Sequence, residues 1–540
     1  MTTTSTGVFA GTIINPVLPG FHPDPSILRV GEDYYMATST FEWSPGVLLH
    51  HSRDLVHWRP LGGVLNEDRL LDLTGHRDGA GVWAPCLSYR NGVFHLIFTD
   101  VENYAEGFWD TPNYVTSAPS IEGPWSDPAP IHSMGFDPSL FHDEDGRSWV
   151  VSSLSDWRPG RHAFAGIVLQ ELDLDTMRPI GEPRVIFEGT EARVTEAPHL
   201  YRENGWYYLV TAEGGTQWDH QTTVARSRDI DGPYEVDPAG PMLSSREHPS
   251  LPLQKAGHGS LVRTPDGEWF LAHLTGRPLT ERGRCVLGRE SAIQRVEWVD
   301  GWPRIEGAIP HVRVQGPALP PHPWPEVPET DDFDAPVLRP QWSTLRRHAH
   351  QSWVSLTERP GHLRIRGGQS PSGTRTPSLV ARRVQHHECS METVMEFSTD
   401  TFQRMAGLTA YYNMRQWYYL RVGFDENEGL FAGVLGSDRG KVRELGERVD
   451  VRGWDRFHLR VEIDRERLRF FLSQDGREWA PVGGVLDASI LSDEYAEERA
   501  PDGETTTLWG FTGAFLGLWA HDLTGLGSHA DFDHVTYRGS

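Results

Sequence analysis

Apolar and polar residues alternate with a period of two over much of the chain, and glycine, proline or aspartate interrupts the alternation every few residues. No amphipathic stretch at helical spacing stands out. Five segments of equal length repeat one version of this pattern without gaps: "DPSILRVGEDYYMATST" (24–40), "APCLSYRNGVFHLIFTD" (84–100), "DPSLFHDEDGRSWVVSS" (137–153), "APHLYRENGWYYLVTAE" (197–213) and "HGSLVRTPDGEWFLAHL" (258–274). Each has Pro or Gly in second place, a short aliphatic strand, a glycine turn and then an aromatic-rich strand. That is the signature of a β-hairpin. The second-place residues Pro25, Pro85, Pro138, Pro198 and Gly259 recur 53 to 61 residues apart, with further strand-turn-strand pieces between them.

Five units of about four strands predict an all-β fold, a five-bladed β-propeller. A β-solenoid is the alternative, but its repeats are usually shorter and more regular. In a propeller the first strand of a blade lies innermost, so the five repeat starts face one another across a central funnel. Those starts bring Asp24, Trp83 (before Ala84), Asp137, Glu196 (before Ala197) and His258 together: three carboxylates, an indole and an imidazole.

The pattern changes after residue 313. "VQGPALPPHPWPEVPETDD" (314–332) is Pro-rich with little strand character and reads as a linker. Beyond it, long alternating segments separated by turns predict stacked antiparallel sheets, a β-sandwich. The expected organisation is a tail over 1–14, the propeller over 15–313, the linker over 314–332 and the sandwich over 333–540. The acidic piece "SDEYAEERAPDGE" (492–504) reads as a solvated surface loop.

Length and charge narrow the function. At 540 residues the chain exceeds one compact core, which agrees with two domains. A net charge of −25 without any long basic run argues against nucleic acid or an anionic membrane as partner. Cys86, Cys285 and Cys389 lie far apart and form no CxxC pair, which speaks against a disulfide framework or structural zinc. The pairs His50-His51 and His386-His387 have no Cys or acid at a ligand spacing and read as strand residues. The N-terminus shows no secretory signal and no apolar run reaches membrane-spanning length, so a cytoplasmic location is expected.

Asp before Pro is a common turn cap, but three acids at matching repeat positions have a chemical use. In glycoside hydrolysis an ionised carboxylate activates water while a protonated one donates to the leaving oxygen. A third acid beside the donor raises its pKa toward working pH. The phrases "NPVLPGFHPDPSIL", "GVWAP", "GFDPSLFHDEDG", "TEAPHLY", "LVTAEGG", "LQKAGHGSLV", "LGRESAIQRVEW", "DDFDAP" and "FTGAFLGLWAHD" resemble, in order, glycoside hydrolase family 43. The likeness is to its two-domain β-xylosidases, whose C-terminal sandwich is a concanavalin-like jelly roll.

The resemblance implies Asp24 as general base, Glu196 as general acid and Asp137 as the acid that tunes and orients Glu196. It implies Arg289, in "LGRES", as a contact to a substrate hydroxyl and to one of the acids, and Phe41, Trp83 and Phe515 as apolar walls, with Phe515 reaching in from the sandwich. His258 matches a funnel histidine that in relatives hydrogen-bonds near the tuning Asp or helps to hold a hydrated cation. No cofactor is therefore required, and a structural calcium near His258 is the one metal site to look for. The expected substrate is a xylo-oligosaccharide or an arabinose-substituted oligosaccharide. A homo-oligomer, dimer or tetramer, is also implied.

The expected activity is exo-acting, inverting release of xylose from β-1,4-xylo-oligosaccharides, with α-L-arabinofuranosidase action as a side activity or as the main alternative. Trp157, in "LSDWRPGRHAF", stands in a segment that departs from the usual xylosidase wording on the leaving-group side. Invertase-like hydrolases share the two-domain architecture, but their Asn-Asp-Pro-Asn, Arg-Asp-Pro and Glu-Cys phrases are absent. A non-catalytic carbohydrate-binding propeller would keep the aromatic residues but have no use for the acids.

Overall fold

A computed structural model describes residues 10–104, 108–499 and 506–540. Five antiparallel sheets follow one another along the chain, each of four strands except the fourth, to which the short strand Leu243–Ser244 adds a fifth. Their inner strands are Ser26–Val30, Gly81–Arg90, Ser139–His142, Glu196–Glu203 and Gln254–Arg263. Each inner strand packs against the next, and the fifth returns to pack against the first. That closure makes the array a ring and excludes the solenoid. The expected hairpin turns at Gly31, Gly92, Gly146, Gly205 and Gly267 all adopt positive φ, where a side chain would be strained.

The ends of the propeller are tied together. Thr12–Ile14 forms a strand with Arg313–Gln315, so the tail and the start of the linker are less free than their composition suggests. Asn15 locks the same seam: its amide donates to the Ile293 carbonyl and its side-chain oxygen accepts from the Ile293 N–H, both at 2.8 Å. The other end of the linker, Thr330–Asp331, pairs with the last strand of the sandwich, His529–Gly539.

The sandwich consists of two eight-stranded sheets packed over one apolar core that includes Leu408, Leu420, Leu459 and Phe470. One member of the second sheet comes from the propeller: Trp43–Ser44, in a loop of the first blade, pairs with Ser343–Leu345. The Arg346–Asp78 ion pair, buried at 2.6 Å, seals the same side.

Two expectations change here. The segment 492–504 is not simply solvated: Asp493 is buried and accepts from the Tyr412 hydroxyl at 2.6 Å, and Glu494 pairs with buried Lys255 of the fifth blade. Acidic composition concealed a domain contact; residues 500–504 lie outside the described residues. His50 and His51 are strand residues as expected, whereas His386 and His387 lie in the connection between Leu379–Arg383 and Glu388–Glu396.

Candidate active site

Each inner strand begins at one face of the ring, and the loop after each second strand returns to that face. The repeat starts and these loops therefore meet. Asp24, Asp137, Glu196 and His258 reach a single narrow cavity, joined by Trp83 from the start of the second inner strand. The returning loops add Phe41 and Thr216, and Arg289 stands where the loop of the fifth blade enters its third strand.

At four of the five repeat starts the backbone is bent in the same way; Ala84 of the second blade is the exception. Asp24, Asp137, Ala197 and His258 have φ of 57°, 53°, 51° and 50°. The left-handed region costs roughly 1–2 kcal/mol for a residue with a Cβ, and Asp tolerates it better than most.

The three acids sit in different environments. Asp24 accepts from the Ser39 hydroxyl at 2.6 Å and from Nη1 of Arg289 at 3.0 Å, with Nδ1 of His258 3.5 Å away. Glu196 has no such cation to itself. Burial, and then the charge of Asp24, push its carboxyl up to about 8, although Arg289 pulls the other way. Burial and the charges of Glu196 and Asp24 also raise Asp137 well above the usual carboxylate range. Only Asp137, however, receives a backbone N–H, that of Ala197, which favours its ionised form. The two carboxyls titrate as a pair, and both are shifted toward the protonated form, so the pair retains a proton at neutral pH.

Trp83 donates its indole N–H to the Gly79 carbonyl at 2.9 Å, which fixes the ring plane, and Phe41 lies 6.0 Å from it. Phe515 does not reach the cavity. It is fully buried, stacked on Trp43 at 3.8 Å, and packs the junction between the domains. The sandwich residue that does form a wall is Phe511, four residues earlier and in the loop before the strand Phe515–Asp522. Strand alternation favours a residue within the strand, whereas the wall needs a loop that can cross to the other domain. Phe136 and Thr216 also line the cavity and were not expected. Phe136 immediately precedes Asp137, and Thr216 lies in a returning loop of the kind that carries Phe41. Trp157 lies outside this cavity, exposed and stacked on Phe108 at 5.0 Å.

His258 is buried, and burial holds its imidazole below the ordinary range despite Asp24 nearby. Among the described residues no three His, Cys, Asp or Glu side chains gather as metal ligands. Calcium takes about six to eight oxygen ligands, and the carboxylate beside His258 is already engaged by Ser39 and Arg289. The donor set does not fit a protein-ligated calcium.

Comparison with known proteins agrees with this fold. The family model described as "Glycosyl hydrolases family 43" matches residues 13–303, more than half of the chain. The chain belongs to glycoside hydrolase family 43. Residues 330–538 match the "Beta xylosidase C-terminal Concanavalin A-like domain". Among solved structures, a xylan beta-1,4-xylosidase from Bacillus Halodurans C-125 is 49% identical, with a TM-score of 0.94 over 97% of this chain and 100% of that one. A xylan 1,3-beta-xylosidase from Vibrio sp is 44% identical over 97% of this chain and 99% of its own. A xylosidase/arabinosidase 43B from Humicola insolens is 46% identical over 97% of each. This family 43 chain is a glycosidase with a propeller and a concanavalin-like sandwich.

Proposed function

We propose that this glycosidase is an exo-acting, inverting β-xylosidase that removes xylose from the non-reducing ends of xylo-oligosaccharides. The observation that carries the reading is the inequality among three buried acids: Asp24 is paired to a cation, while the adjoining carboxyls of Glu196 and Asp137 are both pushed toward the protonated form. Inversion by two carboxyl groups needs this inequality. Asp24 takes a proton from a water that attacks the anomeric carbon. Glu196 gives its proton to the departing oxygen in the same step, and configuration inverts without a covalent intermediate. Phe511 closes the side that faces the sandwich, which favours entry of a chain end over passage of a chain.

The relatives named xylosidase support xylose as the sugar, and the relative that carries both names supports arabinofuranosidase action as a side activity. Needing no metal, residing in the cytoplasm and assembling as a dimer or tetramer belong to the same proposal. Proton NMR during early turnover of a β-xyloside tests the mechanism: α-xylose appears first if it inverts, and β-xylose first would overturn it. Rates on nitrophenyl β-xyloside, nitrophenyl α-L-arabinofuranoside and the β-1,4 and β-1,3 xylobioses test the sugar and the linkage. Faster turnover of the arabinofuranoside, or of the β-1,3 disaccharide, would reassign the substrate.

A further inference from the structure

A second cavity, of about 380 Å³, lies at the junction of the two domains and has no part in the reaction above. The first blade supplies His22 and His50, the sandwich supplies Arg382, Arg383 and Tyr537, and the linker supplies Glu329. The two arginines are 8% and 4% exposed, and neither forms an ion pair among the described residues. Nε of Arg383 donates to the Phe21 carbonyl at 2.7 Å and Nη1 to the Ser343 hydroxyl at 3.0 Å, but Nη2 has no partner. Arg382 donates through Nη2 to Gln385 at 3.2 Å, and its Nε has no partner. Nδ1 of His50 is also without one. Three buried, unpartnered ring or guanidinium nitrogens thus belong to residues lining one cavity.

Packing explains part of this arrangement. Arg383 lies over the rings of Phe21 and Phe515 at 5.4 and 5.2 Å, and Arg382 over Tyr537 at 3.9 Å. Such stacking uses the faces of the guanidinium groups and leaves the edge nitrogens unaccounted for. Burial holds the rings of His22 and His50 neutral, so the positive charge of the lining rests on the arginines. Glu329, the only acid of the lining, is exposed and pairs with Arg538 at 3.3 Å. Buried charge without a counter-charge is unfavourable, and a guanidinium edge matches the oxygens of phosphate or carboxylate.

We propose that this junction cavity binds a small oxyanion, a phosphate or a carboxylate, which clamps the sandwich to the propeller. Because the lining spans both domains, occupancy stabilises their docked arrangement. The test is a thermal-unfolding titration of the full-length protein with inorganic phosphate, with acetate and with chloride at matched ionic strength. Phosphate or acetate should raise Tm with a saturating, low-millimolar dependence that chloride does not reproduce, and the better of the two identifies the source. Arg382→Gln should move the midpoint at least tenfold higher and leave xyloside hydrolysis unchanged. No saturable rise with either anion overturns the proposal, as does an unaltered midpoint in the variant. Should the variant not fold, a crystal of the wild-type protein grown with the anion decides: density within hydrogen-bond reach of Nη2 of Arg383 supports the site, and its absence there rejects it.

Discussion

Arg289 donates through Nη2 to the carbonyl oxygen of Phe511 at 3.0 Å, so an arginine of the last blade grips the sandwich loop that walls the catalytic cavity. Nη1 of the same group holds Asp24 at 3.0 Å. One planar side chain therefore sets both the proposed base and the wall, and links the domains at the candidate active site.

Lysine keeps the charge but not the fork. Arg289→Lys should lower kcat/KM about 10²-fold, the scale expected when a reacting group is misplaced by about an ångström, with Tm nearly unchanged. Arg289→Leu leaves Asp24 buried without its cation and should also cost about 3 kcal/mol in urea unfolding. Activity retained in the lysine variant would show that charge alone suffices.

In the proposed mechanism the proton on Glu196 sets the alkaline limit. With its carboxyl raised to about 8, the acid form is present below that pH and lost above it, so kcat/KM should fall as pH rises through about 8. Asp137→Asn removes a neighbouring negative charge and should move that limb to lower pH. Stability follows the same sign: a carboxyl whose folded value lies above its ordinary one favours folding at low pH and less so as pH rises. Glu196→Gln, which cannot ionise, should therefore gain in Tm over wild type between pH 5 and pH 9. A flat profile up to pH 9.5 would remove Glu196 as the acid.

Leaving-group dependence offers an independent check. Glu196→Ala should slow xylobiose hydrolysis by roughly 10²- to 10⁴-fold, the usual contribution of a general acid. Substrates with activated aryl leaving groups need little protonation and should suffer much less. Equal losses on both would contradict the assignment.

Phe511 and Phe515 separate wall from core. Phe511→Ala opens the cavity and should raise KM, with a small effect on Tm. Phe515→Ala removes a fully buried ring stacked on Trp43 and should cost about 3–5 kcal/mol, while the folded fraction keeps its KM. Thermal melts paired with steady-state kinetics distinguish the two, and the reverse pattern would restore Phe515 to the site.

Metal removal bears on His258. Dialysis against EDTA should leave kcat/KM within about twofold, because among the described residues no three His, Cys, Asp or Glu side chains gather as metal ligands. A tenfold loss restored by calcium would place an ion, held largely by water, in the funnel.

What the chain reveals before folding depends on the range of the contact. Repeat spacing places Asp24, Asp137 and Glu196 together because a closed ring makes equivalent positions neighbours, whatever their separation in sequence. The same symmetry leads to Trp83 and His258. No such rule reaches across domains. Nothing local distinguishes Phe511 from Phe515, since the choice depends on how the sandwich docks, and that docking rests on pairs such as Lys255 with Glu494 and Arg346 with Asp78. Glu494 looked like solvent-facing acid because its partner lies 239 residues away.

Ala197 shares the bend of Asp24, Asp137 and His258, yet carries only a methyl group there. The bend thus recurs in every blade but the second, and it exists where no reaction chemistry is attached. Hydrolysis in this molecule makes use of a pre-existing corner: side chains on it (Asp24, Asp137, His258) or one residue before it (Glu196) reach the axis, so exchanging residues at these corners can alter the chemistry of the funnel without redesigning the scaffold around it.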